Sequence, residues 1–261
     1  ESLSVAPDAT LYVLASQSPS RKGKRPAARQ LFAHLAISTL GSTTGARVLA
    51  SISLADQLDA AGSKFLTTLG LTDTRTLDIE GLTATAQGGL LLGLKQPLDA
   101  AGRAPIWHLA KPELLLAGGT PSEAGLTLWG AVSLQVHADG APRSAGIADL
   151  LELPNGTLLI ASTASGTDPT TQDGTLWLAD GHDGLAAPRK LQSFPGLKPE
   201  GAPEGKVHFA GWWEEKHAET LKAGWEKNPI VTEVQAEGQA RDLGLKVGDL
   251  IVKVDGHEVK D

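Results

Sequence analysis

The sequence predicts a mainly β fold, with β-propeller blades followed by a smaller α+β module. Two observations carry this expectation. A unit of apolar strand, turn and apolar strand recurs as E-S-L-S-V-A-P-D-A-T-L-Y-V-L-A-S at 1–16, E-G-L-T-A-T-A-Q-G-G-L-L-L-G-L at 80–94 and A-D-L-L-E-L-P-N-G-T-L-L-I-A-S at 148–162. Near residue 200 this pattern stops, and a charged stretch followed by Gly-rich turns takes over.

Each repeat is justified strand by strand. Apolar runs flanked by Pro7-Asp8-Ala9, Gln87-Gly88-Gly89 and Pro154-Asn155-Gly156 read as hairpins, because these residues suit tight turns. A third strand follows as R-Q-L-F-A-H-L-A, A-P-I-W-H-L-A and G-T-L-W-L-A-D, which places Phe32, Trp107 and Trp177 at one equivalent position. A fourth strand is read in the first unit over 47–54, R-V-L-A-S-I-S-L. Four short strands per repeat is the pattern of a propeller blade. The alternative is a β-sandwich of similar hairpins; the repetition of whole units favours blades. The polar connections 17–30 and 163–173 are long, and long loops are where function tends to sit.

Composition narrows the function classes. The 261 residues carry a net charge of −7, which argues against a nucleic-acid partner. No apolar run is long enough for a helical membrane span. The chain has no cysteine, which excludes a disulfide scaffold and a thiol nucleophile. It has no methionine either, and a removed signal peptide or a fragment accounts for that. The motifs G-x-S-x-G, H-E-x-x-H and G-x-x-x-x-G-K-[ST] are absent.

After residue 200, E-E-K-H-A-E-T-L-K-A-G-W-E-K at 214–227 reads as a charged helix stopped by Pro229, and P-I-V-T-E-V reads as a strand. Ala240, Gly244-Leu245, Val247-Gly248-Asp249, Ile251 and Val254-Asp255-Gly256 follow. This run resembles a bacterial PDZ domain over residues 206–261. The resemblance implies that an extended peptide is bound by strand addition. It also implies that Phe209, Ala210, Gly211 and Trp212 stand where the family's carboxylate-binding loop lies; core or interface packing is the other reading of these aromatics. The family's last helix and strand have no counterpart before Asp261, so the module is expected to be partial.

Residues 1–205 resemble a family of secreted bacterial propellers related to the esterase-like phytases. The likeness is carried by Leu77-Asp78-Ile79-Glu80-Gly81-Leu82, Leu92-Gly93-Leu94-Lys95 and Gly146-Ile147-Ala148-Asp149-Leu150. Ser16-Gln17-Ser18 and Ser20-Arg21-Lys22-Gly23-Lys24-Arg25 match as well. The family usually has histidine between the first two serines, where this chain has Gln17. A closed propeller needs more than three blades. The chain is therefore expected either to lack segments, with a join near residue 202, or to be a half-propeller that closes by dimerising.

Candidate chemistry follows from the repeat. Glu1, Glu80 and Glu200 stand at starts of repeats, with Asp149 one place from equivalence in the third. Such acids suit a carboxylate ring holding calcium, or else turn caps and arginine partners. Asp149 falls on the opposite strand face unless a bulge intervenes. Arg21, Lys22, Lys24, Arg25 and Arg29 form a basic run able to bind an anion such as a phosphate ester, or else a solvated loop. His34 and His108 are expected on equivalent strands without metal-ligand spacing. The leading expectation is a non-catalytic periplasmic or secreted binding scaffold with a PDZ-like module for protein or C-terminal peptides. A calcium-assisted phosphate-ester hydrolase and a structural subunit of an envelope assembly are the alternatives.

Overall fold

A computed structural model describes residues 2–20, 23–40, 43–86, 88–165, 173–194, 253–254 and 257–258. The backbone divides into two compact units, Glu1–Lys206 and Val207–Asp261. The described part of the first unit is mainly β. It holds three four-stranded antiparallel sheets, each a simple meander in chain order. The first sheet is β1 (Ser2–Val5), β2 (Leu11–Leu14), β3 (Leu31–Leu40) and β4 (Thr43–Ser53). The second is β5 (Asp78–Ala84), β6 (Leu90–Gln96), β7 (Ala104–Leu109) and β8 (Leu126–Val132). The third is β11 (Gly146–Glu152), β12 (Leu158–Thr163), β13 (Gly174–Ala179) and β14 (Arg189–Phe194). A hairpin of β9 (Gln135–Ala138) and β10 (Ala141–Ser144) lies between the second and third in sequence.

The repeat seen in the sequence is a repeat of register. Val5 pairs with Leu11, Ala84 with Leu90 and Glu152 with Leu158, so the first hairpin of every sheet has the same length. Leu11, Leu90 and Leu158 then pair with Leu35, Leu109 and Ala179. Trp107 and Trp177 are equivalent on this register, opposite Leu92 and Ile160. Phe32 is not. It pairs with Leu14, one residue out of step, and Ala33 holds the tryptophan position. Side chains alternate along a strand, so Phe32 points to the opposite face from the tryptophans. His34 and His108, opposite Tyr12 and Leu91, are equivalent.

Two helices and a hairpin add to the sequence reading. The fourth strand ends at Ser53, and α1 (Leu54–Thr68) begins at once. Ser53 caps it, accepting the Asp56 amide at 3.2 Å, so S-L-A-D at 53–56 was a legible helix start. Gly62 breaks the helix at φ 80°. The hairpin β9–β10 was signalled by Asp139-Gly140, whose φ values of 51° and 78° both suit a two-residue turn. A short helix, α2 (Pro112–Leu116), follows β7.

The sheets stack through their faces. Tyr12, Leu14 and Phe32 of the first sheet share one core with Leu90, Leu92, Trp107, Leu109 and Leu126 of the second, and with Leu54 and Leu58 of α1. The other face of the second sheet, with Leu91 and Ile106, joins Leu150, Leu158, Ile160 and Trp177 of the third. A sheet covered on both faces needs apolar residues at successive positions. That is why β6 reads L-L-L-G-L, while β2 alternates between half-buried and buried.

Two faces have no described neighbour. On the first sheet, Val5, Leu11, Leu35 and Val48 form a row across all four strands, beside Leu3 and Val13. Leu3 is 58%, Val5 61% and Val48 57% exposed. On the third sheet, Leu151, Leu159 and Leu178 form a row that ends on exposed Arg189 of β14, and Leu151 is 50% exposed.

In the second unit, β15 (Lys253–Val254) pairs with β16 (His257–Glu258), and Asp255 and Gly256 lie outside the described residues. The helix and strand expected over 214–234 lie outside the described residues.

Candidate functional site: a buried acid–lysine cluster where the first strands meet

The first strands of the three sheets lie side by side: β1 packs against β5, and β11 against β5 and β6. Glycine permits this. A Cβ on Gly93 would stand 2.6 Å from Cγ2 of Ile147, and one on Gly81 would stand 2.8 Å from the same atom. A Cβ on Gly146 would collide with the Lys95 carbonyl. The motifs Asp78–Leu82, Leu92–Lys95 and Gly146–Leu150 are thus three walls of one contact.

The strand register puts chemistry there. Asp78 pairs with Gln96, Ile79 with Leu94 and Gly81 with Gly93. Lys95 is therefore the extra residue of one bulge and Glu80 the extra residue of the next, on opposite strands. Bulges re-aim side chains. Here they bring Lys95 Nζ to 3.6 Å from Glu80 Oε1, with the lysine side chain 5% exposed. Ser2 Oγ donates to the Glu80 carbonyl, tying β1 to the same point.

Asp78 is the perturbed group of the cluster. Burial, the Glu80 charge and a hydrogen bond with Glu80 push its carboxyl up to about 6, against the pull of Lys95. Its Oδ1 is buried without a hydrogen-bond partner. A carboxyl held this way exchanges a proton near neutral pH, which suits acid–base work or a protonation-linked contact. Thr163, opposite Gly146 in the register, also has a buried hydroxyl without a partner. The sequence reading singled out Glu80 but not Asp78 or Lys95 as site residues. The available signal was their presence in the two motifs whose strands pair.

The remaining acids do not converge in the same way. β11 does carry a bulge, with Ala148 the extra residue between the Ile147 and Asp149 pairings. Because β5 bulges at the equivalent Glu80, the two strands stay in step. Asp149 therefore matches Gly81, is exposed, and accepts its neighbour Leu150's amide at 2.8 Å. Among the described residues no group of three or more His, Cys, Asp and Glu side chains gathers to hold a metal ion. Glu1 and Glu200 lie outside the described residues.

The basic run splits. Arg25 Nη1 reaches Asp59 Oδ2 of α1 at 3.2 Å, and its Nη2 donates to the Thr74 carbonyl and hydroxyl. Arg29 is exposed, with Ser18 Oγ at 3.4 Å, and Lys24 is exposed. Arg21 and Lys22 lie outside the described residues. Gln17, where the resembling family has histidine, is fully buried at φ 60°. Its Nε2 donates to the carbonyls of Ala15 and Leu31, and its Oε1 accepts the Ala55 amide at 3.0 Å. The connection between β2 and β3 is thereby latched to α1 from both ends. Ile79 N donates to Ser16 O at 2.8 Å, so the same loop also abuts the acid–lysine cluster.

Phe209, Ala210, Gly211 and Trp212 lie outside the described residues. Compared with family models, curated proteins and solved structures, the chain shows no match. Among the described residues no helix is long and apolar enough to cross a membrane.

Proposed function

We propose that this chain is a non-catalytic binding scaffold of the bacterial envelope, periplasmic or secreted. In this reading the first unit is a set of propeller blades, and the second is a PDZ-like module that takes a protein or C-terminal peptide. The observation that carries it is the pair of open apolar sheet faces around Val5–Val48 and Leu151–Leu178. Contiguous exposed apolar surface of this kind marks interaction sites. The G-L-K-V-G-D-L-I-V-K-V-D-G run, with β15 paired to β16, supports the peptide-binding half. The test is fluorescence anisotropy of a C-terminal peptide library with the full chain. Saturable binding that needs a free peptide carboxylate is expected; no binding by any peptide removes that half.

One observation favours a second reading, a calcium-assisted phosphate-ester hydrolase. Asp78, poised near 6 beside Glu80 and Lys95, has the charge state an acid–base group needs. Phosphate release from phytate and simple phosphomonoesters, with and without a chelator, decides it. Turnover that is lost in Asp78→Asn and on chelation is the expected result. No turnover under either condition removes the reading.

A further inference from the structure

We propose that the open face of the first sheet docks onto the open face of the third sheet of a second copy of this chain, head to tail. The proposal rests on the scaffold reading above and specifies its partner.

The interfaces already inside the chain show what such a contact is made of. Each sheet has two kinds of face, distinguished by register. One contains the rows through Leu11, Leu90 and Leu158; the other contains the rows through Tyr12, Leu91 and Leu159. Within the chain, every packed pair joins one kind to the other. The Tyr12 face of the first sheet meets the Leu90 face of the second, and the Leu91 face of the second meets the Leu158 face of the third. Two faces are left over among the described residues. They are the Leu11 face of the first sheet and the Leu159 face of the third, one of each kind. Joining them repeats an interface the protein already makes twice.

The side chains agree with this. The row Val5, Leu11, Leu35 and Val48 is equivalent to Ala84, Leu90, Leu109 and Leu126, which are buried or half-buried against the first sheet. It carries no charge. The opposite face contributes Leu151, Leu159, Leu176 and Leu178, with exposed Arg189 and Asp149 at the outer ends of its rows. The contact is heterologous, so it closes into a ring or propagates according to the rotation between copies.

Sedimentation velocity of the full chain across the micromolar range tests it. The wild type is expected to self-associate. Val5→Glu or Val48→Lys on one face, and Leu151→Glu on the other, are each expected to weaken association at least about tenfold, since each buries a charge in an apolar contact. These positions are half-exposed or more, and circular dichroism checks that the variants fold. The decisive arm is mixing. A first-face variant keeps its third-sheet face, and a third-sheet variant keeps its first face. The mixture is therefore expected to form a 1:1 pair that neither variant forms alone.

A monomeric wild type overturns the proposal, as does association indifferent to both sets of substitutions, or a mixture that does not complement. A hydrophobic dye separates this from failure of the scaffold reading. Dye bound by a monomeric wild type and lost in Val5→Glu means the face serves another occupant, whether further sheets of a longer chain or a different protein. No dye binding and no association means that the face is not a contact surface at all.

Discussion

Asp78 and Lys95 make opposite demands on their surroundings. The lysine is almost wholly buried with Glu80 at 3.6 Å, and Asp78 is half-buried beside them. Breaking a buried ion pair by removing one partner leaves the other charge uncompensated. Lys95→Met is expected to destabilise the fold by about 3–5 kcal/mol at neutral pH, measured by urea unfolding. Asp78 gives a pH signature of the other sign. Its folded value, raised to about 6, lies above the unfolded value near 3.8, so the folded state holds the proton more tightly. That stabilisation is complete below about pH 4 and lost as pH rises through about 6. Between about pH 4 and about pH 8 the wild type should lose on the order of 2 kcal/mol from this group, and Asp78→Asn should lack that slope. Gln17 is the third sensitive residue. Its amide makes three hydrogen bonds to backbone, two of them buried, at a φ that glutamine rarely adopts. Gln17→Ala should cost about 2–3 kcal/mol by stranding those groups, read by thermal or urea unfolding.

At the scale of elements, the close approach of β11 to β5 and β6 depends on absent side chains. Gly93→Ala puts a methyl into Ile147, a backbone-borne branch point in a packed strand with little room to move. A cost of about 1–3 kcal/mol is expected, and it should shrink in the background of Ile147→Ala, which removes the Cγ2 that the methyl meets, in a double-mutant cycle. The two equivalent tryptophans show how one strand position serves different ends. Trp107 donates to the Leu69 carbonyl at the end of α1, while Trp177 donates to Ser162 across its own sheet. Repetition therefore explains the burial of the rings but not the partners of their N–H groups. Those partners come from what each sheet happens to face. Phe32 differs for the same reason: the first sheet packs through its Tyr12 face, whereas the tryptophans lie on the Leu90 and Leu158 faces through which the second and third sheets meet the sheet before them, and Phe32 sits beside Tyr12 on the packed face.

The three sheets of the first unit stack face to face, and two of their faces have no neighbour among the described residues. Association through the Val5–Val48 and Leu151–Leu178 faces is driven by apolar area. It should persist at high sodium chloride and tighten in sulfate, because screening leaves burial untouched while excluded salts strengthen it. Association driven instead by the basic run at 21–29 would fade over the same range, so sedimentation in the two salts tells the surfaces apart.

How much of this was written in the chain depends on range in sequence. The sheets, their meander order and the equal first hairpins are local matters, set by apolar periodicity and turn residues within a few positions, and the repeat displays them directly. Even the one-residue offset of Phe32 is present in the sequence, as the extra residue between it and His34 compared with Trp107 and His108. The candidate site is another matter. Nothing in the string places Lys95 against Glu80, because that needs two bulges on paired strands, and a bulge reverses which face a side chain takes. Nor could the string show that Arg25 is bound to α1 or that one carboxyl oxygen of Asp78 is buried without a partner. The sequence by itself determined the strands and the kind of face each one carries. Only the tertiary structure decided which faces meet, which two are left open, and which charges are buried together, because those depend on contacts between residues brought close by packing rather than by the chain.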